Sequence, residues 1–303
     1  MGPLAGGRTF ITDGGMETVL VFHRGIDLPC FASFPLLDSD DGIGELRAYF
    51  EPYFTIAREH GVGLALDTPT WRASPDWGER LGYDADRLAE VNRKGVRLLQ
   101  DLREQHPEVP LTISGCIGPR GDGYVASEPM TADEAERFHS TQVETLAAAG
   151  ADTISALTMT YAAEAIGIVR AAQKVGLPSV VSFTVETDGR LPDGSALGDA
   201  IDQVDAETGG APTYFMVNCA HPTHFAGVLE GAWVQRLGGI RANASTMSHA
   251  ELDEAEELDD GDPDELARDY LALRSKLPNV HVVGGCCGTD HRHIAAIASA
   301  WTA

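Results

Sequence analysis

Two cysteines stand side by side in Val282-Val283-Gly284-Gly285-Cys286-Cys287-Gly288, near the end of the sequence. The residues before them form an apolar, β-rich run, and the glycines mark a tight turn at its end. Neighbouring cysteines rarely bond to each other, because the peptide between them would have to strain. Both thiolates can nevertheless reach one soft metal ion. Cys219 closes a similar apolar run, Tyr214-Phe215-Met216-Val217-Asn218, and supplies a third sulfur. Three thiolates with one coordination position left open make the donor set of a catalytic zinc site rather than of a closed structural one. Zinc in that setting activates water poorly, because the thiolates give it much of their charge. It suits capture of a further thiol, whose pKa of about 8.5 falls on coordination so that it ionises at neutral pH. The chemistry indicated is alkyl transfer to sulfur rather than hydrolysis.

The elements that must bring these sulfurs together follow from the hydrophobic pattern. Strands are predicted at 8–12, 63–66, 111–114, 153–157, 179–185, 214–217, 239–242 and 280–283. Helical spacing runs over 16–24, 45–60, 84–105, 131–149, 162–175, 198–207, 223–233, 264–276 and 290–301, with residues 25–44 read as loop. Thr131 and Glu134 form a capping box, and Pro107 and Pro110 stop the helix before them. Eight strands alternating with helices predict one parallel (β/α)8 TIM barrel, a single domain over 1–303. An open doubly wound sheet is the alternative, but no Gly-x-Gly-x-x-Gly opens the first helix. In a barrel of this kind functional groups gather where strands end. Cys219 follows the sixth strand, and Cys286 and Cys287 the eighth. Asp13, Thr68, Ser114, Thr158, Thr184 and Asn243 take the matching positions elsewhere, a polar ring for a small substrate. Asp13 is equally placed to cap the helix near Met16.

Composition limits the partners. The 303 residues are 43% hydrophobic, enough for a large core, and carry a formal net charge of −24 with a pI near 4.6. Such a surface repels nucleic acid and anionic membranes. No apolar stretch is long enough for a membrane helix, and no basic-then-apolar start suggests a signal peptide. Five cysteines without regular spacing argue against a disulfide framework and for a reducing, cytoplasmic compartment. Cys30 and Cys116 lack cysteine neighbours and read as packing residues. His221, His224, His291 and His293 read as helix caps or pocket walls rather than ligands. The ten acidic residues of 251–265 read as a solvated, self-repelling segment. Trp71 offers a π face for a cationic donor, or a plain rim aromatic. No pattern speaks to oligomeric state.

Asp13-Gly14-Gly15-Met16-Glu17-Thr18, Ser114-Gly115-Cys116-Ile117-Gly118-Pro119, Gly150-Ala151-Asp152, Ser182-Phe183-Thr184, Asn218-Cys219 and Gly284-Gly285-Cys286-Cys287-Gly288-Thr289 together resemble the homocysteine S-methyltransferase family. That family includes betaine- and S-methylmethionine-dependent enzymes and the homocysteine domain of cobalamin-dependent methionine synthase. The resemblance spans nearly the whole chain. It implies zinc bound by Cys219, Cys286 and Cys287. It also implies an acceptor ammonium group held near Asp13, and an acceptor carboxylate held by backbone amides around Gly14 and Gly15 with Thr68. Thr158 and Asn243 would complete the substrate contacts. The reaction implied is methyl transfer from a small onium donor (S-methylmethionine, S-adenosylmethionine or betaine) to homocysteine, giving methionine. One position departs from the family. Leu157 stands where the resemblance implies a glutamate gripping the ammonium group, which puts Asp67, Glu164 or Glu186 in line for that role. A different thiol or selenol acceptor, and a non-catalytic zinc- or thiol-binding protein, are the alternatives.

Overall fold

The computed structural model describes residues 7–126, 128–255 and 257–303. Residues 1–6 and, in the acidic segment, Glu256 lie outside it. Eight parallel strands close a barrel in sequence order. They are β1 (Phe10–Ile11), β2 (Gly63–Asp67), β3 (Leu111–Ile117), β4 (Thr153–Met159), β5 (Ser179–Phe183), β6 (Tyr214–Asn218), β7 (Leu237–Ala242) and β8 (Val282–Gly285). Closure comes from β8 against β1, with Phe10 opposite Val282 and Ile11 opposite Val283. The predicted (β/α)8 barrel is the observed one. Helices cover the outside and side chains fill the inside, so strand residues are buried on both faces. That is why the strands read as continuous apolar runs instead of alternating ones.

Long helices form the outer layer among the described residues: α1 (Asp40–His60), α2 (Ala85–Gln105), α3 (Ala132–Ala149), α4 (Ala162–Lys174), α5 (Leu197–Thr208), α6 (Pro263–Arg274) and α7 (His291–Thr302). In α2, Leu88, Val91, Gly95, Leu98, Leu99 and Leu102 are buried at helical spacing, and the Asp84 carboxylate accepts from the Arg87 amide at 2.8 Å to cap its start. The Thr131/Glu134 capping box forms as expected at α3.

Two segments differ from their sequence patterns. The helix expected over 223–233 lasts one turn, Pro222–Phe225, and a 3-10 turn, Ala232–Arg236, follows. Gly227 weakens the helix, and Gly231 sits at φ 103°, outside any right-handed helix. The stretch 25–44 holds two 3-10 turns and the first turn of α1, whose start Ser39 caps by accepting from the Gly42 amide at 3.1 Å. Asp40 and Asp41 resemble loop residues in sequence, but at a helix start they complement the exposed amides. The acidic segment opens with a short helix, His249–Glu254, fixed by a Ser248/Glu251 capping box. Among the described residues no helix is long and apolar enough to cross a membrane.

Candidate active site

The C-terminal ends of the strands surround a cavity of about 400 Å³. Cys219 directly follows β6 in a left-handed conformation, φ 53°. For a side chain with a Cβ this costs about 1–3 kcal/mol and marks a position held in place by its surroundings. Cys286 and Cys287 directly follow β8, and Gly288, at φ 79°, completes their turn. The sulfurs of the three cysteines all lie within 4.8 Å of one another. Cys219 and Cys286 are in disulfide contact with Cα atoms 5.4 Å apart, while Cys287 is free. Strand β7 and the residues just after it align all three. The Arg241 carbonyl accepts from the Cys219 amide (3.2 Å), the Ala242 carbonyl accepts from the Cys286 amide (2.8 Å), and the Ala244 amide donates to the Cys287 carbonyl (3.1 Å).

Asn218 ties the sulfurs to two further strands. Its side-chain amide donates to Thr158 Oγ1 at 2.8 Å and approaches the sulfurs of Cys219 (3.3 Å) and Cys286 (3.8 Å). Its Oδ1 accepts from the Thr158 amide and the Ser182 hydroxyl, at 3.0 and 2.6 Å. Thr158 is itself left-handed, at φ 61°, in a register shift of β4. The Tyr124 hydroxyl donates to Cys287 Sγ at 3.6 Å. The Tyr124 ring stacks on His249, which contacts the Cys219 carbonyl at 2.8 Å.

These residues fit a soft metal ion. Burial pushes the Cys287 thiol above its ordinary pKa, with the Tyr124 hydroxyl opposing. Without a cation a thiolate is disfavoured there, and three sulfurs within mutual reach provide the donors that such a cation needs. A cation could be held by Cys219 and Cys286 only in their reduced form.

A second cluster forms the cavity's acidic floor. Arg241, buried on β7, donates to Asp13 Oδ1 at 2.7 Å, contacts Asp67 Oδ2, and reaches the Gly285 carbonyl at 3.2 Å. Burial alone would lower the Arg241 pKa, yet the two carboxylates hold it above its ordinary value. Asp13 also accepts from the Tyr49 hydroxyl of α1 at 3.0 Å. Its pKa is pushed up to about 7, chiefly by burial and with Asp67 adding to it, against the pull of Arg241. Two carboxylates sharing one guanidinium leave the cluster short of a cation. Asp67 Oδ1 has no partner among the described residues.

Of the residues singled out in the sequence, Asp13, Gly14, Gly15, Thr68, Trp71, Leu157, Thr158 and the three cysteines all line this cavity. Asp13 is not a helix cap, since the helix at Met16 is preceded by Gly15 and has no side-chain cap. The Gly15 amide donates to the Thr289 carbonyl at 2.9 Å. Side chains at Gly14 and Gly15 would collide with the backbone of Thr289 and Cys286, so these glycines let the β1 loop close on the cysteine turn. Asn243 is buried at the end of β7, away from the lining, with Oδ1 unpartnered among the described residues. Cys116 is buried as expected, and also lines the cavity, whereas Cys30 is exposed rather than packed. His221 caps the Pro222–Phe225 turn and His293 belongs to the capping box of α7. Glu164 is held by His139 and the Arg120 amide, and Glu186 by His249, outside the cavity lining. Arg241, Tyr49 and Tyr124 carried no sequence signal, because each is a lone residue whose partners come from distant elements.

A model of the family described as homocysteine S-methyltransferase matches residues 10–301. Homocysteine S-methyltransferase 4 of Zea mays is 25% identical, over 97% of this chain and 90% of its own. Homocysteine S-methyltransferase 3 of Zea mays has the same identity and coverage. In structure, the oxidized form of the homocysteine methyltransferase MmuM from Escherichia coli superposes with a TM-score of 0.76, at 22% identity, over 97% of this chain and 96% of that one. Its metallated form gives 0.73, at 20% identity, over 96% of each.

Proposed function

The chain belongs to the homocysteine S-methyltransferase family and is a methyltransferase acting on the homocysteine sulfur; on that premise we propose that it binds zinc through Cys219, Cys286 and Cys287 and takes the methyl group from a small onium donor. The observation that carries this reading is the meeting of three sulfurs, from the ends of β6 and β8, within 4.8 Å in the wall of the cavity. A metallated form is known for the Escherichia coli relative. When bound, the ion lowers the pKa of the incoming thiol, so that the acceptor sulfur is a nucleophile at neutral pH. Transfer would form the bond between that sulfur and the methyl carbon as the carbon's bond to the departing sulfide or amine breaks, the thiol proton having passed to solvent. Asn218 keeps Cys219 and Cys286 oriented by bridging them to Thr158 and Ser182. Tyr124 does the same for Cys287. The Trp71 indole in the cavity wall suits a cationic donor.

With Leu157 in place of an acid, the acceptor ammonium group needs another anion. Asp67 answers best: it lines the cavity, has a carboxylate oxygen without a partner, and belongs to a cluster short of a cation. Glu164 and Glu186 are spent on His139 and His249. Replacing Asp67 by Asn should raise the acceptor KM by about 30- to 150-fold, the worth of a charge-assisted hydrogen bond, and change kcat little. A KM that stays within threefold would remove Asp67 from the role.

Acceptor affinity should also depend on pH through Asp13. A proton on Asp13 removes one negative charge from the floor, so the ammonium group binds more weakly below its pKa of about 7. Affinity should therefore rise by up to about tenfold from pH 6 to 8, the change in the ionised fraction, and the rise should be lost in Asp13→Asn. A profile that is unchanged in that variant would assign the dependence elsewhere.

The whole reading is tested by metal analysis of protein purified under reductant, with a mass-spectrometric screen of donors against homocysteine. About one zinc per chain and methionine formation are expected. Metal-free protein with full turnover would overturn it.

A further inference from the structure

Arg72 lies in the turn after β2, and its side chain lines the same cavity. Its guanidinium carbon sits 3.8 Å from the ring centre of Trp77 and 4.8 Å from that of Trp71. Stacking on indole faces leaves only the edge of the guanidinium plane to form hydrogen bonds. Yet Nε and Nη1 are buried with no hydrogen-bond partner among the described residues. Ser74 Oγ and Trp77 Nε1, on the residues that follow, are likewise buried and unpartnered among the described residues. Glu17 and Asp122 are close enough to favour the cation but form no ion pair with it. Burial pulls the Arg72 pKa down from its ordinary value, opposed by those two acids.

This arrangement is costly as it stands. Two guanidinium nitrogens that are screened from water and lack an acceptor lose hydration without replacement. By contrast Arg241, buried on β7, has three acceptors in hand. In a chain with a formal net charge of −24, acids are abundant, so Arg72 is not unpaired for want of them. The cavity it faces admits a mobile anion, and a carboxylate matches the fork of a guanidinium edge.

Resting on the methyltransferase reading above, we propose that Arg72 is a specificity-determining residue that recognises the carboxylate of the methyl donor. The donor class is then a zwitterionic onium compound carrying a carboxylate, in preference to a purely cationic one. The acceptor's carboxylate is the other source of the same chemistry. The geometry favours the donor, because the sulfurs and the acidic floor sit at the strand ends, whereas Arg72 lies five residues beyond the end of β2 at Asp67, beside Trp71. A small tilt of the side chain that turns the Nε edge toward the cavity pairs the nitrogens that now lack acceptors.

The test compares each substrate with its decarboxylated counterpart. The donors are S-methylmethionine and (3-aminopropyl)dimethylsulfonium; the acceptors are homocysteine and 3-mercaptopropylamine. In Arg72→Gln, kcat/KM for S-methylmethionine should fall by about 10- to 100-fold, mostly through KM, while the decarboxylated donor stays within about threefold. Arg72→Lys, which keeps the charge without the fork, should fall between the two. Equal losses on both donors, or no loss on either, would overturn the proposal. A loss that instead tracks the acceptor's carboxylate would also overturn it. Binding gives a readout independent of turnover: S-methylmethionine added to metal-free, reduced protein should change tryptophan fluorescence, with affinity weakened at least tenfold in Arg72→Gln. Wild-type protein that transfers no methyl group from any donor would refute the methyltransferase reading, while the fluorescence titration would still decide the role of Arg72.

Discussion

Replacing Cys286 by Ser should remove the metal and lower turnover by roughly a thousandfold or more, about 4 kcal/mol of barrier. The reason is geometric as well as chemical. Cys286 is one of three sulfurs within 4.8 Å, and its amide is held by the Ala242 carbonyl at 2.8 Å, so a serine hydroxyl would stand in the same place. A hydroxyl is a poor ligand for a soft ion and does not ionise at neutral pH, leaving two thiolates where three are needed. Only the sulfur is exchanged, so the fold should be kept. Cys30→Ser is the control, because Cys30 is exposed and not one of the three clustered sulfurs, and it should leave the metal content unchanged. The assay requires reductant, since only thiolates, not oxidised sulfurs, bind the metal. Elemental analysis of each variant beside its initial rate is the measurement. A Cys286→Ser protein that is metal-free and fully active would end the zinc assignment.

The fold and the sulfur cluster were legible in the sequence for different reasons. The barrel shows because fully buried parallel strands must be apolar end to end, and short turns must carry Gly, Asp and Asn between them. The cysteines show because each directly follows such a strand, where a closed barrel brings distant ends together. What could not be read is pairing across the barrel. Asp13 is followed by a helix and therefore resembles a cap; only closure of the barrel sets it opposite Arg241, 228 residues away in sequence. Arg241 itself sits within an otherwise small and apolar strand, Leu237–Ala242, and nothing local announces that its charge is met. Asn218 was visible as part of a motif, but its four partners come from β4, β5 and the two cysteine turns. Cys219 and Thr158 owe their left-handed backbones to these contacts, and local propensity gives no sign of that.

Arg241→Met should be among the most destabilising single substitutions in the chain, by about 3–5 kcal/mol at pH 8. Methionine fills much of the same volume, so the loss is chiefly electrostatic. Asp13 and Asp67 would remain buried with no cation between them, and the Gly285 carbonyl would lose its contact at 3.2 Å. The pH dependence distinguishes this cause from poor packing. Asp13 already has a folded-state pKa of about 7, above its ordinary 3.8, because burial disfavours its charge. Removing the guanidinium raises it further. A carboxyl whose folded pKa lies above its unfolded value favours folding while protonated and opposes it as pH rises through the folded pKa. The deficit of Arg241→Met should therefore be largest at pH 8 and shrink toward pH 5.5, where the folded state keeps its protons. Adding Asp13→Asn and Asp67→Asn should recover most of the lost stability at pH 8, since no uncompensated charge is left, but should not restore acceptor binding. Urea denaturation of the three proteins at the two pH values makes the measurement. A deficit that is the same at pH 5.5 and pH 8, or one that the two asparagines do not relieve, would mean that Arg241 acts by shape and not by charge.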